Sequence, residues 1–124
     1  MPKPRFEIKE GSQGFSFTLV AGNNEVIGVS QVYASRDGAK TGIASVQKNA
    51  PVAAIEDQTA SDEKAKNPKF EIYLDKAGEF RFRLLATNGQ NILASEGYKE
   101  KASCKNGIES VRKNAPVSEI REKN

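Results

Sequence analysis

The chain has 124 residues, is 37% hydrophobic and 28% charged, and carries 19 basic against 16 acidic residues for a net charge of +3. These totals fit one small soluble domain and exclude a disordered chain or a strongly polybasic one. Histidine is absent and Cys104 is the single cysteine, which removes an intrachain disulfide and every Ser-His or Cys-His nucleophile pair and argues against structural zinc.

Met1-Pro2-Lys3-Pro4-Arg5 is not followed by an apolar signal core, and no stretch approaches ~18 apolar residues. The expectation is a cytoplasmic protein without a membrane partner. Alternating side chains then predict strands over Phe6–Glu10, Phe15–Ala21 and Val26–Ser30. Asn23-Asn24 sits at the turn between the last two. Ser35 is placed to cap a helix from about Arg36 to Lys48. Ala39, Ile43, Val46 and Ala50 share one face of it, and Pro51 ends it. Val52–Glu56 reads as a fourth strand, and the polar stretch Asp57–Asn67 as a flexible linker.

The second half begins with Phe70, Ile72 and Leu74 alternating with Glu71, Tyr73 and Asp75. Asp75-Lys76-Ala77-Gly78 supplies a turn, and Phe80, Phe82, Leu84 and Ala86 mark the next strand. Asn88-Gly89 signals a hairpin with a type I′ turn, followed by a strand over Asn91–Glu96. A helix from about Lys99 to Lys113 follows, with Cys104, Ile108, Val111 and Ala115 inward. Pro116 stops it. Val117–Arg121 forms a last short strand with Ile120 inward, where Ile120→Asp is expected to destabilise strongly.

The two halves repeat one another. Residues 15–55 align on 80–120 at a constant offset of 65, and Phe6-Glu7-Ile8 recurs as Phe70-Glu71-Ile72. Lys48-Asn49-Ala50-Pro51-Val52 recurs unchanged as Lys113-Asn114-Ala115-Pro116-Val117. A copy of about 50–55 residues buries too little apolar surface to stand comfortably alone. The fold class is therefore α+β: a tandem β-β-β-α-β unit forming one antiparallel sheet with two helices on one face. Residues 4–56 are the first repeat, 57–67 the linker and 68–124 the second repeat of one pseudo-twofold domain.

Phe70-Glu71-Ile72-Tyr73, Gly78-Glu79-Phe80-Arg81-Phe82-Arg83-Leu84, Asn88-Gly89, Ser95-Glu96-Gly97-Tyr98 and the run Gly107 to Pro116 resemble the YegP-like family, a bacterial domain family of unknown function. Copy one departs from that pattern at Gly22-Asn23-Asn24 and Gln31-Val32. The resemblance implies that the last strands swap between units. It also implies that the duplication replaces dimerisation, so that the chain is a monomer. It carries over no catalytic residue and no cofactor.

Candidate site residues are few. Arg81 and Arg83 leave one sheet face beside Tyr73, where guanidinium groups and an aromatic ring can grip phosphates and stack a base. The plainer reading is a solvated face, since their counterparts are Ser16 and Thr18. Cys104 matches Ala39 on an inward helix face and reads as packing rather than a reactive thiol. Gly42 and Gly107 read as sites of close helix–sheet approach. Asn49 and Asn114 read as helix-end closures, and Tyr33 and Tyr98 as core-edge rings. No general acid–base pair is visible, so no enzyme is expected. The sequence reads as a small non-enzymatic binding or accessory module, its partner a protein or an anionic polymer. Two alternatives stay open: a nucleic-acid-binding protein using the exposed sheet face, and a small-ligand carrier or enzyme with a pocket between the halves.

Overall fold

Alternating apolar side chains build two three-stranded meanders, and one helix follows each. The computed structural model describes residues 3–123. The first repeat contains β1 (Arg5–Gly11), β2 (Gly14–Val20), β3 (Val26–Val29), α1 (Arg36–Asn49), a 3-10 turn (Ala50–Val52) and β4 (Ala54–Asp57). The second contains β5 (Lys69–Leu74), β6 (Phe80–Leu85), β7 (Asn91–Ala94), α2 (Lys101–Asn114), a 3-10 turn (Ala115–Val117) and β8 (Glu119–Lys123). All eight strands join one sheet in the order β4-β5-β6-β7-β3-β2-β1-β8.

The meanders meet at Val29 opposite Ala94. The last strand of each repeat crosses to the other: β4 lies beside β5 and β8 beside β1. The inner six strands are antiparallel, as expected. Both edge pairs are parallel, so the sheet is mixed. A strand delivered through a helix is free of the hairpin geometry that forces antiparallel pairing.

Both helices cover the same sheet face and seal one core. Phe6, Phe17, Leu19, Ile43 and Val46 are fully buried, together with Phe70, Phe82, Leu84, Ile108 and Val111. Ser35 Oγ accepts from the Gly38 amide at 3.0 Å and caps α1. Glu100, its counterpart, offers no side-chain cap, and α2 starts two residues later than its pattern suggests. The Asn88-Gly89 turn is not type I′. Gly89 alone has positive φ (+84°), and Ala86 N donates to Gln90 O, which makes a three-residue loop. Asn24 fills the same left-handed place in copy one with φ 69°.

Matching contacts hold the exchanged strands. Arg36 of α1 pairs with Glu122 of β8, and Lys101 of α2 pairs with Asp57 of β4. Gln47 Nε2 donates to the carbonyls of Ala115 and Ser118, while Arg112 donates to the carbonyl of Ala53. Residues at equivalent repeat positions thus reach across to the partner crossover.

Two expectations are corrected here. Ile120 faces the helix side, opposite Phe6, yet is 42% exposed because β8 is the outermost strand. Ile120→Asp is therefore expected to cost only about 1–2 kcal/mol in a urea titration, in line with partial burial. The segment after β4 is not a free tether. Ala65 N donates to Glu56 Oε1 and Gln58 Nε2 to Glu56 Oε2, both at 2.7 Å, which ties it onto the sheet.

Candidate functional site

The sheet face away from the helices gathers Tyr73, Arg81 and Arg83, as their alternation requires. Tyr73 stands opposite Arg81, and Glu71 opposite Arg83. The Arg83 guanidinium lies 4.5 Å from the Tyr73 ring centroid. Each arginine is already engaged by a carboxylate: Arg81 Nε meets Asp75 Oδ2 and Arg83 Nε meets Glu71 Oε1, both at 2.6 Å. The Arg81 ion pair holds the Asp75 carboxyl below its usual range.

Beside them lies a cluster that sequence patterning missed. Lys69 Nζ sits 2.8 Å from Glu56 Oε1 and 3.1 Å from Glu71 Oε2, and all three residues are buried. Hydrogen bonding from Lys69, then from Gln58, pulls the Glu56 carboxyl down to about 2 despite its burial, and the same Glu56 contact raises Lys69. Three cations (Lys69, Arg81, Arg83) face three carboxylates (Glu56, Glu71, Asp75), so this half of the face is electrically balanced. The signal lay in the strand exchange, because Glu56 arrives on β4 opposite Glu71. In the other half Arg121 occupies the matching place opposite Glu7, and Arg5 pairs with Glu7 at 2.6 Å.

The repeated glycines and tyrosines form one device. Tyr33 stacks on Phe17 and Tyr98 on Phe82, with interplanar angles of 13° and 14°. A Cβ on Gly42 would collide with the Tyr33 hydroxyl, and one on Gly107 would lie 2.6 Å from that of Tyr98. The close approach is therefore to a tyrosine tip as much as to the sheet. Asn49 Nδ2 donates to Ser45 O and Oγ, and Asn114 Nδ2 to Ser110 Oγ, closing each helix end. Cys104 is buried and its thiol is pushed up to about 11, first by burial. It sits in packing and stays a neutral thiol. The folded protein should react with a thiol reagent such as DTNB only at its opening rate, far slower than in urea, and rapid labelling of the native state would contradict this placement.

Two grooves lie between the halves at equivalent repeat positions. One, of about 400 Å³, runs between the β6–β7 turn and α1 past Thr41, Asn49, Thr87 and Asn88. The other, of about 390 Å³, runs between the β2–β3 turn and α2 past Glu25, Tyr98, Asn106 and Ser110. Neither converges titratable groups on one point. The residues repeated without change in Lys48–Val52 and Lys113–Val117 divide in two. Ala50 and Ala115 are fully buried, whereas Val52 and Val117 are 72% and 74% exposed. The backbones of the two 3-10 turns that carry them pass within 8 Å of one another. No helix among the described residues is long and apolar enough to cross a membrane.

A family model described as "Domain of unknown function (DUF1508)" matches residues 12–57 and again 75–122. A UPF0339 protein of Mannheimia succiniciproducens is 42% identical over 118 residues, covering 94% of this chain and 92% of that protein. One from Bordetella pertussis is 41% identical over 111 residues, covering 90% and 87%. The "UPF0339 protein in ptx operon 5'region" of Stutzerimonas stutzeri is 79% identical over 47 residues, which span 38% of this chain and 42% of that protein. The solution structure of the protein of unknown function yegP from E. coli superposes with a TM-score of 0.80 at 32% identity, covering 98% of this chain and 94% of that one. With the family pattern matched once per repeat and the fold shared across the chain, this protein belongs to the YegP-like (DUF1508, UPF0339) family as a tandem two-copy member.

Proposed function

We propose that the chain is a small non-enzymatic binding or accessory module, acting as a cytoplasmic monomer. The observation that supports this most is the fate of its perturbed ionisable groups. Glu56 is held at about 2 by Lys69, Asp75 is lowered by Arg81, and the Cys104 thiol is raised to about 11. Each displacement runs away from neutrality, where a proton-transfer group has to operate, and each follows from an ion pair or, for Cys104, from burial. The monomer reading rests on the exchanged strands, which supply β5 and β1 with their outer partners from within one chain.

A tagged pull-down with and without nuclease tests the reading. Reproducible protein partners that survive nuclease support it; an empty pull-down together with turnover of a metabolite sinks it. The nucleic-acid alternative requires Arg81 and Arg83 to grip phosphate while Asp75 and Glu71 already offset their charge. The double change Arg81→Glu with Arg83→Glu is expected to leave nucleic-acid retention unchanged. A steep, salt-sensitive loss would instead restore that alternative.

A further inference from the structure

We infer that the paired 3-10 turns at the helix C-termini form a docking surface for an acidic, apolar segment of another protein. The inference rests on the binding-module reading and names the partner class for it. Its starting point is the run Lys-Asn-Ala-Pro-Val, kept without change in both repeats although neighbouring exposed positions differ: Thr41 against Asn106, Ala44 against Glu109, Ala54 against Glu119. Folding accounts for three of the five residues. The asparagine closes its helix on the serine four residues earlier, the alanine is buried, and the proline opens the 3-10 turn. The valine has no such role. Val52 and Val117 are 72% and 74% exposed, each beside an exposed proline.

The backbones of the two turns pass within 8 Å of one another, which brings the exposed Pro51, Val52, Pro116 and Val117 to one region of the surface rather than to separate faces. Lys48 and Lys113 lie exposed in the last turns of the preceding helices, each four residues before a valine. Their ammonium groups complement the carbonyl-rich helix ends, and neither meets a carboxylate among the described residues. This charge decides the occupant. A second copy laid patch to patch would bring lysines against lysines. A segment with apolar residues at its centre and carboxylates at its margins satisfies both features.

The test titrates the full-length, ¹⁵N-labelled chain with a synthetic amphipathic peptide of leucines and glutamates. Controls are its lysine-for-glutamate analogue and polyglutamate. Shift changes should concentrate at residues 48–53 and 113–118. The glutamate peptide should bind at least about tenfold more tightly than either control. Val52→Ser with Val117→Ser should weaken it by a similar factor with little change in thermal midpoint, since both side chains are exposed. Shifts on another face, equal binding of the controls, or no binding overturns the inference. So does self-association that the double variant abolishes, which would assign the patch to a second copy. If protein partners from the pull-down are retained by the double variant, the module reading stands and only this surface falls.

Discussion

Lys69→Met is expected to destabilise the protein by about 3 kcal/mol or more in urea titration at neutral pH. Removing one member of a buried ionic cluster strands its partners. Glu56 and Glu71 face each other across β4 and β5; the Lys69 ammonium lies within 3.1 Å of both, and Glu71 keeps Arg83 as a second partner, so Glu56 is the carboxylate left without a cation. The pH dependence follows by sign. Glu56 has a folded value of about 2, below its ordinary 4.5, so the stability it contributes is complete above about 4.5 and is lost as pH falls toward 2. In Lys69→Met the buried Glu56 carboxyl, without its cation, prefers the protonated form, so acidification favours that folded state. The gap between wild type and variant should therefore narrow from pH 7 to pH 4. Adding Glu56→Gln and Glu71→Gln should recover much of the loss, because a neutral hydrogen-bonded set needs no counter-charge. A change under about 1 kcal/mol for the single variant would show that water reaches the cluster.

Gly107→Ala runs against the ordinary expectation for a helix. Propensity alone favours alanine by roughly 1 kcal/mol, yet a net destabilisation of about 1–3 kcal/mol is expected from overpacking. The new methyl would meet the Tyr98 hydroxyl at 2.6 Å, Phe82 Cε2 at 3.0 Å and Tyr98 Cζ at 3.2 Å. The tyrosine has little freedom to withdraw, since its ring stacks on Phe82 and its backbone bridges Phe80. Removing the hydroxyl takes away the closest of these contacts. In a double-mutant cycle with Tyr98→Phe, the double variant should therefore lose less stability than the two single changes summed, and most of the glycine loss should return. Additive effects would mean that the glycine serves backbone freedom rather than the tyrosine.

These two sites differ in how far the sequence reveals them. The glycine was legible: a residue that costs stability in a helix, kept in both copies, points to close packing, although its partner proved to be a tyrosine tip. Period-two alternation and the apolar faces of Cys104–Ala115 and Ala39–Ala50 specify the meanders and the core. The ionic cluster was hidden because it joins Glu56 to Lys69 and Glu71 through the exchanged strand, and no local pattern records which edge a short strand will choose. The same gap explains Ile120: its inward direction follows from alternation, whereas its exposure follows from lying outermost. Tyr73, Arg81 and Arg83 share one face, as strand alternation requires. Their neutralisation by Glu71 and Asp75 depends on side-chain geometry that spacing leaves open.

The pairing of β8 with β1 also has a temporal consequence. Arg5 finds its strand partner in Glu119, one of the largest sequence separations the chain allows. During synthesis the first meander emerges with its outer edge bare and stays so until residues near 119 leave the ribosome. The β1–β8 contacts are far from local, so the closing step waits until β8 has left the ribosome. A nascent chain stalled after α2 should be far more sensitive to protease than one released a few residues later.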